Sequence, residues 1–169
     1  MADLAAKAGR VHSTGLPIFR LRQIYDAAGM AAFYRSIDTS ILGRKAYDLS
    51  VKFGLPDGYA GKKNYVFSRT LAEAASPKVS IASEDVRVFA ERLRSEKGKH
   101  IWLVGGAEVV AAFLDSGQVD EFIIHVIPTM IGDGIPLVAP RHRDLGLKLL
   151  ATKKFPDGVV KLHYAIRVK

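Results

Sequence analysis

Apolar and polar positions change period along this chain in a way that predicts strands alternating with helices. The run from Ile101 to Val104 is apolar throughout, as expected of a strand buried on both faces. Gly105 and Gly106 end the run. From Val109 onward apolar residues recur at helical spacing, and Gly117 stands where a helix C-cap belongs. A strand, a glycine pair and a helix therefore follow one another directly.

The same succession is predicted elsewhere, with Ser83 as the N-cap of one helix. The predicted strands span residues 39–42, 64–67, 78–82, 101–104 and 122–127, with a short strand near 137–138. The predicted helices span residues 21–37, 44–53, 84–98 and 107–116, with a short helix ending at residue 75. The end of the chain differs, because two strands at 147–155 and 159–168 flank the hairpin signal Pro156-Asp157-Gly158. Alternation in the last strand predicts one buried face and one solvated face.

This order of elements predicts an α/β fold with a doubly wound, mostly parallel sheet and an antiparallel C-terminal hairpin. With 169 residues, the chain fits one domain over 1–169. Residues 1–20 show no periodicity, so we expect them to form a loose arm.

Composition and charge narrow the class of protein. A hydrophobic fraction of 49% and a charged fraction of 25% are typical of soluble globular proteins, and the chain has no cysteine. No apolar run is long enough for a bilayer, so we expect a cytoplasmic protein without a membrane partner. The net charge of +8 is scattered along the chain rather than clustered, and the five histidines lack metal-ligand spacing. We therefore expect neither a nucleic-acid partner nor a metal.

Candidate chemistry lies where the predicted strands end. Ligands of open α/β sheets bind at the carboxyl ends of the strands, and three junctions stand out: Gly43-Arg44-Lys45, Ser68-Arg69-Thr70 and Gly105-Gly106. Glycines at helix starts suit a pyrophosphate, and a hydroxyl beside an arginine on another strand suits the 2′-phosphate of NADP. The alternative interpretation leaves the cations as solvated surface charges, Ser68 and Thr70 as caps, and the glycine pair as a tight turn.

Three motifs in this order carry a family resemblance. They are FYRSIDTSILGRKAYD at 33–48, GKKNYVFSRT at 61–70 and IWLVGGAEVVAAFLDSGQVDEFIIHVIPTMIGDGIPLV at 101–138. The sequence resembles the dihydrofolate reductase-like superfamily, in the branch of the C-terminal reductase domain of the bacterial bifunctional riboflavin deaminase/reductase. The resemblance covers about residues 33–168 and includes the closing hairpin.

The resemblance implies a homodimeric reductase that uses NADPH to reduce a pteridine-like or ribosylamino-pyrimidine heterocycle, as in riboflavin biosynthesis. It also implies a cis peptide between Gly105 and Gly106, under the cofactor pyrophosphate. The cofactor-binding residues expected on this basis are Gly43, Arg44, Lys45, Ser68, Arg69, Thr70, Gly105, Gly106, Ala107 and Glu108.

The front of the chain departs from the family pattern. Family members open with an apolar strand and a Ser-Leu-Asp-Gly-like segment that faces nicotinamide and substrate, and residues 1–28 have no such pattern. We therefore assign no catalytic residue, and Asp26 is not taken as the proton donor. The departure also supports a second hypothesis, in which the chain is a catalytically silent nucleotide-binding or dimerising protein that keeps the cofactor cradle.

Overall fold

A computed structural model describes residues 10–11 and 30–167. The strands are β1 (Arg10–Val11), β2 (Ile37–Gly43), β3 (Lys63–Phe67), β4 (Val79–Ala82), β5 (His100–Gly105), β6 (Glu121–Val126), β7 (Ile135–Pro136), β8 (Leu147–Lys154) and β9 (Val160–Ile166). The helices are α1 (Met30–Ser36), α2 (Arg44–Lys52), α3 (Val86–Ser95) and α4 (Ala107–Asp115). None of these four helices has the length and apolar character that a bilayer crossing requires.

Four parallel strands in the order β4-β3-β2-β5 form the main sheet. The chain steps outward from β2 through β3 to β4, then crosses back to place β5 on the other side of β2. Helix α2 packs on one face of this sheet, whereas α3 and α4 pack on the other. The doubly wound parallel sheet predicted from the sequence is therefore confirmed.

Two apolar clusters hold the helices on this sheet. Phe89 of α3 is fully buried, and its ring packs against those of Tyr65, Phe67 and Phe113 at centroid distances of 5.3, 5.4 and 6.3 Å. On the opposite face, Tyr47 of α2 is buried among side chains of β2, β3 and β4. Strand β2 is buried along almost its whole length, because both faces are covered.

The strand at 101–104 is less buried than its apolar run predicts. Within the described residues β5 pairs only with β2, and Ile101, Trp102 and Leu103 remain half-buried while Val104 is buried. The centre of the sheet is β2, whose mixed composition gives a weaker apolar signal. Side chains of β5 nevertheless pack on both faces of the sheet, with Leu103 on the side of α3 and α4 and Val104 on the side of α2, so the predicted burial is confirmed only in part.

The C-terminal strands form a separate antiparallel sheet in the order β6-β9-β8. The predicted hairpin is confirmed: Phe155 N–H donates to the Val159 carbonyl at 2.9 Å, and Gly158 has φ +84°. In the described residues this sheet is not hydrogen-bonded to the parallel one. The predicted burial pattern is wrong, because every residue of β9 is half-buried and every residue of β8 is exposed.

Several local predictions need correction. Asp85, not Ser83, caps α3, and its carboxylate accepts the N–H groups of Arg87 and Val88 at 2.8 and 3.3 Å. The short helix predicted up to residue 75 is replaced by irregular backbone. The short strand near 137–138 lies instead at β7, which pairs with β1. In the helix predicted at 21–37, residues 30–36 form α1 and residue 37 begins β2, while residues 21–29 lie outside the described residues. The arm predicted at 1–20 also lies outside them, except for residues 10–11.

Candidate functional site

Two helix starts lie side by side at the point where the strand order reverses. Strands β2 and β5 are neighbours, with Leu42 opposite Gly105, and each is followed directly by a helix. A Cβ placed on Gly43 would lie 3.2 Å from the backbone nitrogen of Gly106 and 3.2 Å from Cγ1 of Val109. Glycine at position 43 therefore allows α2 and α4 to begin in contact. Reversal points of this kind are where open α/β sheets bind ligands.

Both helix starts leave their first-turn N–H groups without a side-chain cap. The N-cap residues are Gly43 for α2 and Gly106 for α4, and neither supplies a capping side chain. Uncapped N–H groups and the positive end of the helix dipole attract anions. Two such ends next to each other make this edge of the sheet a candidate phosphate site.

The glycine pair presents bare backbone at this edge. The Gly105–Gly106 peptide bond is cis, as the resemblance implies, and Gly105 has φ +123°, a conformation that favours glycine. Gly106 differs, because its φ of −78° and ψ of −165° suit other residues and a Cβ there would meet nothing within 4 Å. No contact among the described residues explains a glycine at 106, whereas close approach of a ligand to the backbone does.

The third junction follows the neighbouring strand on the other side of β2. Gly43 is opposite Phe67 of β3, so Ser68 follows at the same sheet edge. Ser68 is 7% exposed, and its Oγ accepts the N–H groups of Thr70 and Leu71 at 3.2 and 3.1 Å. The hydroxyl thus caps a turn, not a helix, and fixes the direction of the loop. The structure brings all three predicted junctions to one edge.

The cations of these junctions differ in their contacts. Arg44 donates from Nε to both carboxylate oxygens of Asp48, at 2.8 and 2.9 Å, so its charge is already paired along α2. Lys45 and Arg69 are exposed, and within the described residues neither makes a hydrogen bond or an ion pair. Lys45 and Arg69 are therefore the cations most available to an anionic ligand.

The side chain of Glu108 pairs with a residue of the loop that follows β7. Its Oε2 accepts a hydrogen bond from Nη2 of Arg141 at 3.1 Å, and the neighbouring Ala107 carbonyl accepts the Ala139 N–H at 3.1 Å. Only the backbone N–H of Glu108 belongs to the uncapped first turn of α4. Its carboxylate is a contact of the loop at 137–143.

That loop is hydrogen-bonded to both ends of α4. Arg141 also donates to Asp115 at 2.6 Å, and Arg143 donates to the same carboxylate at 2.6 and 2.9 Å. The hydrogen bond from Arg143 holds the pKa of Asp115 below its ordinary value. Sequence reasoning missed these arginines. A signal was present, because Glu108 and Asp115 are seven residues apart on one helix face and two arginines stand two residues apart in the loop.

A separate groove of about 370 Å³ lies beside α2 and the loop that follows Ser68. Its walls are Tyr47, Asp48, Val51, Lys52, Leu71, Glu73 and Ala75. The groove shares Asp48 with the Arg44 ion pair but takes no residue from the glycine pair, so it is distinct from the helix starts.

These observations define the class of protein as a doubly wound α/β protein with a candidate anion site at the reversal point of its parallel sheet. Comparison with known proteins gives the family. Residues 60–161, more than half of the chain, match the family model described as the RibD C-terminal domain, and the chain belongs to that family.

Two curated relatives come from Bacillus subtilis (strain 168), and both are described as uncharacterized. The chain is 42% identical to protein YwjB over 137 residues, which cover 80% of this chain and 78% of YwjB. It is 33% identical to protein YyaP over 148 residues, with coverage of 80% and 78%. These relatives support the family but name no activity.

Solved structures with the same fold include three proteins of low sequence identity. A putative riboflavin biosynthesis protein from Shewanella sp. PV-4 has a TM-score of 0.75 at 18% identity, covering 94% of this chain and 85% of that one. Acinetobacter baumannii RibD has a TM-score of 0.66 at 17% identity, covering 96% and 55%. A pyrimidine reductase-like protein from Corynebacterium diphtheriae has a TM-score of 0.59 at 13% identity, covering 98% and 90%. At these identities the likeness shows the fold alone.

Proposed function

We propose that this protein is an NADPH-dependent reductase of a pteridine-like or ribosylamino-pyrimidine heterocycle. The observation that carries the proposal is the pair of adjacent, uncapped helix starts over bare glycine backbone, at the carboxyl ends of β2 and β5. Membership of the RibD C-terminal domain family supports a reductase. The exposed cations Lys45 and Arg69 favour NADPH, which carries one phosphate more than NADH.

The residues present fit a phosphorylated dinucleotide. The first-turn N–H groups of α2 and α4 would hold the pyrophosphate, with Lys45 adding a positive charge. Arg69 and the Ser68 hydroxyl, one strand away, would hold a separate phosphate such as the 2′-phosphate that distinguishes NADPH from NADH. When bound, the cofactor supplies a hydride, and the chain orients it and neutralises its phosphates.

The substrate class rests on the relatives. One structural neighbour is called pyrimidine reductase-like and another is called a putative riboflavin biosynthesis protein, so a nitrogen heterocycle is the class proposed for this chain. The front segment, where the family faces its substrate, lies outside the described residues together with Asp26. We therefore name no proton donor.

The test is NADPH oxidation by the full chain in the presence of dihydrofolate, other pterins or the ribosylamino-pyrimidine. Turnover with any of these heterocycles supports the reductase. Tight NADPH binding without turnover supports instead the catalytically silent nucleotide-binding protein. Failure to bind NADPH would reject both, because both depend on the same phosphate site.

A further inference from the structure

The chain contains three Asp-Gly pairs, at Asp57-Gly58, Asp133-Gly134 and Asp157-Gly158. In such a pair the glycine nitrogen can attack the carboxyl carbon of the aspartate side chain, because glycine has no Cβ to shield that nitrogen. The sequence does not distinguish the three pairs. The structure does, through the hydrogen bonds that each glycine N–H and each carboxylate make.

The pair at 133–134 holds the two reacting groups together. The Gly134 N–H donates to Oδ1 of Asp133 at 2.7 Å, so the glycine nitrogen lies against the carboxyl group of the preceding residue. Ring closure requires this arrangement, because groups held in contact react faster than groups that must first meet. Asp133 is exposed and lies outside helices and strands, in the loop between β6 and β7, so water reaches it.

The first pair keeps the same two groups apart. The Gly58 N–H donates to the Leu55 carbonyl at 3.4 Å. The carboxylate of Asp57 accepts hydrogen bonds from the Ser76 hydroxyl, at 2.6 Å, and from Nζ of Lys78. The hydrogen bond from Lys78 also lowers the pKa of Asp57, which disfavours the protonated carboxyl group that ring closure consumes.

The hairpin pair also keeps them apart. The Gly158 N–H donates to the Phe155 carbonyl at 3.0 Å. Oδ1 of Asp157 accepts the N–H of Val159 at 3.1 Å, so the carboxylate is bound one residue beyond the glycine. Of the three pairs, all of which lie in the described residues, only the one at 133–134 joins the glycine N–H to its own aspartate.

We propose that Asp133 is a modification site, at which the folded chain converts spontaneously to isoaspartate. The Gly134 nitrogen forms a bond to Cγ of the protonated Asp133 carboxyl group. The carboxyl hydroxyl leaves and takes up the amide proton, so one water is released and a five-membered succinimide remains. Water then breaks one of the two ring bonds to nitrogen: loss of the bond to Cγ restores aspartate, and loss of the bond to the main-chain carbonyl carbon gives isoaspartate. No oxidant, reductant or cofactor takes part.

Isoaspartate changes the loop in two ways. The main chain then runs through Cβ and Cγ, which lengthens it by one carbon atom, and an α-carboxylate is left at residue 133. The backbone two residues later belongs to β7, where Ile135 pairs with Val11, and we expect the longer backbone to weaken this pairing. The α-carboxylate is the group that isoaspartyl methyltransferases methylate with S-adenosylmethionine, so the modified chain becomes a substrate for that reaction.

The test compares the folded full chain with the chain unfolded in guanidinium chloride, after incubation at physiological temperature and mildly acidic pH. Endoproteinase Asp-N cleaves before aspartate but not before isoaspartate, so mass spectrometry of the digest gives the isoaspartate fraction at each pair. Folding should slow isoaspartate formation at least about tenfold at 57 and 157, but not at 133. Equal slowing at all three pairs, or no isoaspartate at 133 in the folded chain, would overturn the proposal.

Two alanine substitutions in the same loop give a second measurement. Neither Gly132 nor Gly134 has a positive φ, unlike Gly58 and Gly158, so the backbone at both positions suits alanine. Gly134→Ala should remove most of the methyl transfer from labelled S-adenosylmethionine by an isoaspartyl methyltransferase, because the new Cβ shields the nitrogen. Gly132→Ala is the matched control, since its Cβ meets nothing within 4 Å, and it should leave methylation unchanged. Equal methylation of the two variants contradicts a site at Asp133.

Discussion

Replacing Gly106 by alanine tests whether this glycine is needed for the approach of a ligand or for the fold. The added Cβ meets nothing within 4 Å, and the backbone angles at 106 suit alanine. We therefore expect the free energy of unfolding to change by less than about 1 kcal/mol. A bound phosphate, in contrast, could no longer come close to the backbone at the start of α4.

The expected loss of affinity follows from hydrogen bonding. A methyl group over the glycine pair would displace a phosphate oxygen from at least one backbone N–H, and a hydrogen bond to a charged group contributes about 1.5–3 kcal/mol. This corresponds to about 10- to 150-fold weaker NADPH binding.

The assay is titration with NADPH, followed by the fluorescence of Trp102, together with thermal unfolding. Trp102 is the single tryptophan of the chain. Gly146→Ala is the matched control, because it precedes β8 in the other sheet and a Cβ there makes only ordinary contacts with Arg167. Unchanged NADPH affinity in Gly106→Ala would refute the reasoning, and so would a marked loss of stability, which would show that the fold requires this glycine.

Two further predictions concern charge balance and the core. Arg141→Ala should weaken NADPH binding about twofold to fivefold at low salt, because it leaves the Glu108 carboxylate unpaired in the first turn of α4. The same substitution should have less effect on NADPH binding when Glu108 is replaced by glutamine. Equal effects with and without Glu108→Gln would contradict this prediction. Phe89→Ala should lower the free energy of unfolding by about 3–5 kcal/mol, because the ring is fully buried among other aromatic rings. Urea denaturation measures this change, and a loss below about 1 kcal/mol would contradict that packing.

The sequence was sufficient to predict the candidate site because its signals are local. Each junction is a strand followed by a helix start or a turn, and parallel strands bring their carboxyl ends to one edge, so Gly43, Ser68 and Gly105 could be grouped without a structure. The hairpin at Gly158 was predictable for the same reason, since a turn sequence determines its own backbone.

What could not be predicted depends on contacts between distant residues. The separation of the two sheets among the described residues reflects which strands pair, and alternation along β9 does not determine how deeply its side chains are buried. The ion pairs of Arg44 with Asp48 and of Glu108 with Arg141 were not predicted, because geometry selects each partner among several available acids and bases. The cap of α3 shifted by two residues because Ser83 and Asp85 can both act as N-caps.

The most direct test of the central claim is calorimetric titration of the full chain with NADPH and with NADH. If the helix starts and Arg69 form one phosphate-binding edge, NADPH should bind at least tenfold more tightly, about 1.4 kcal/mol, and Arg69→Gln should remove most of that difference. Equal affinity for the two dinucleotides, or binding of neither, would contradict the account.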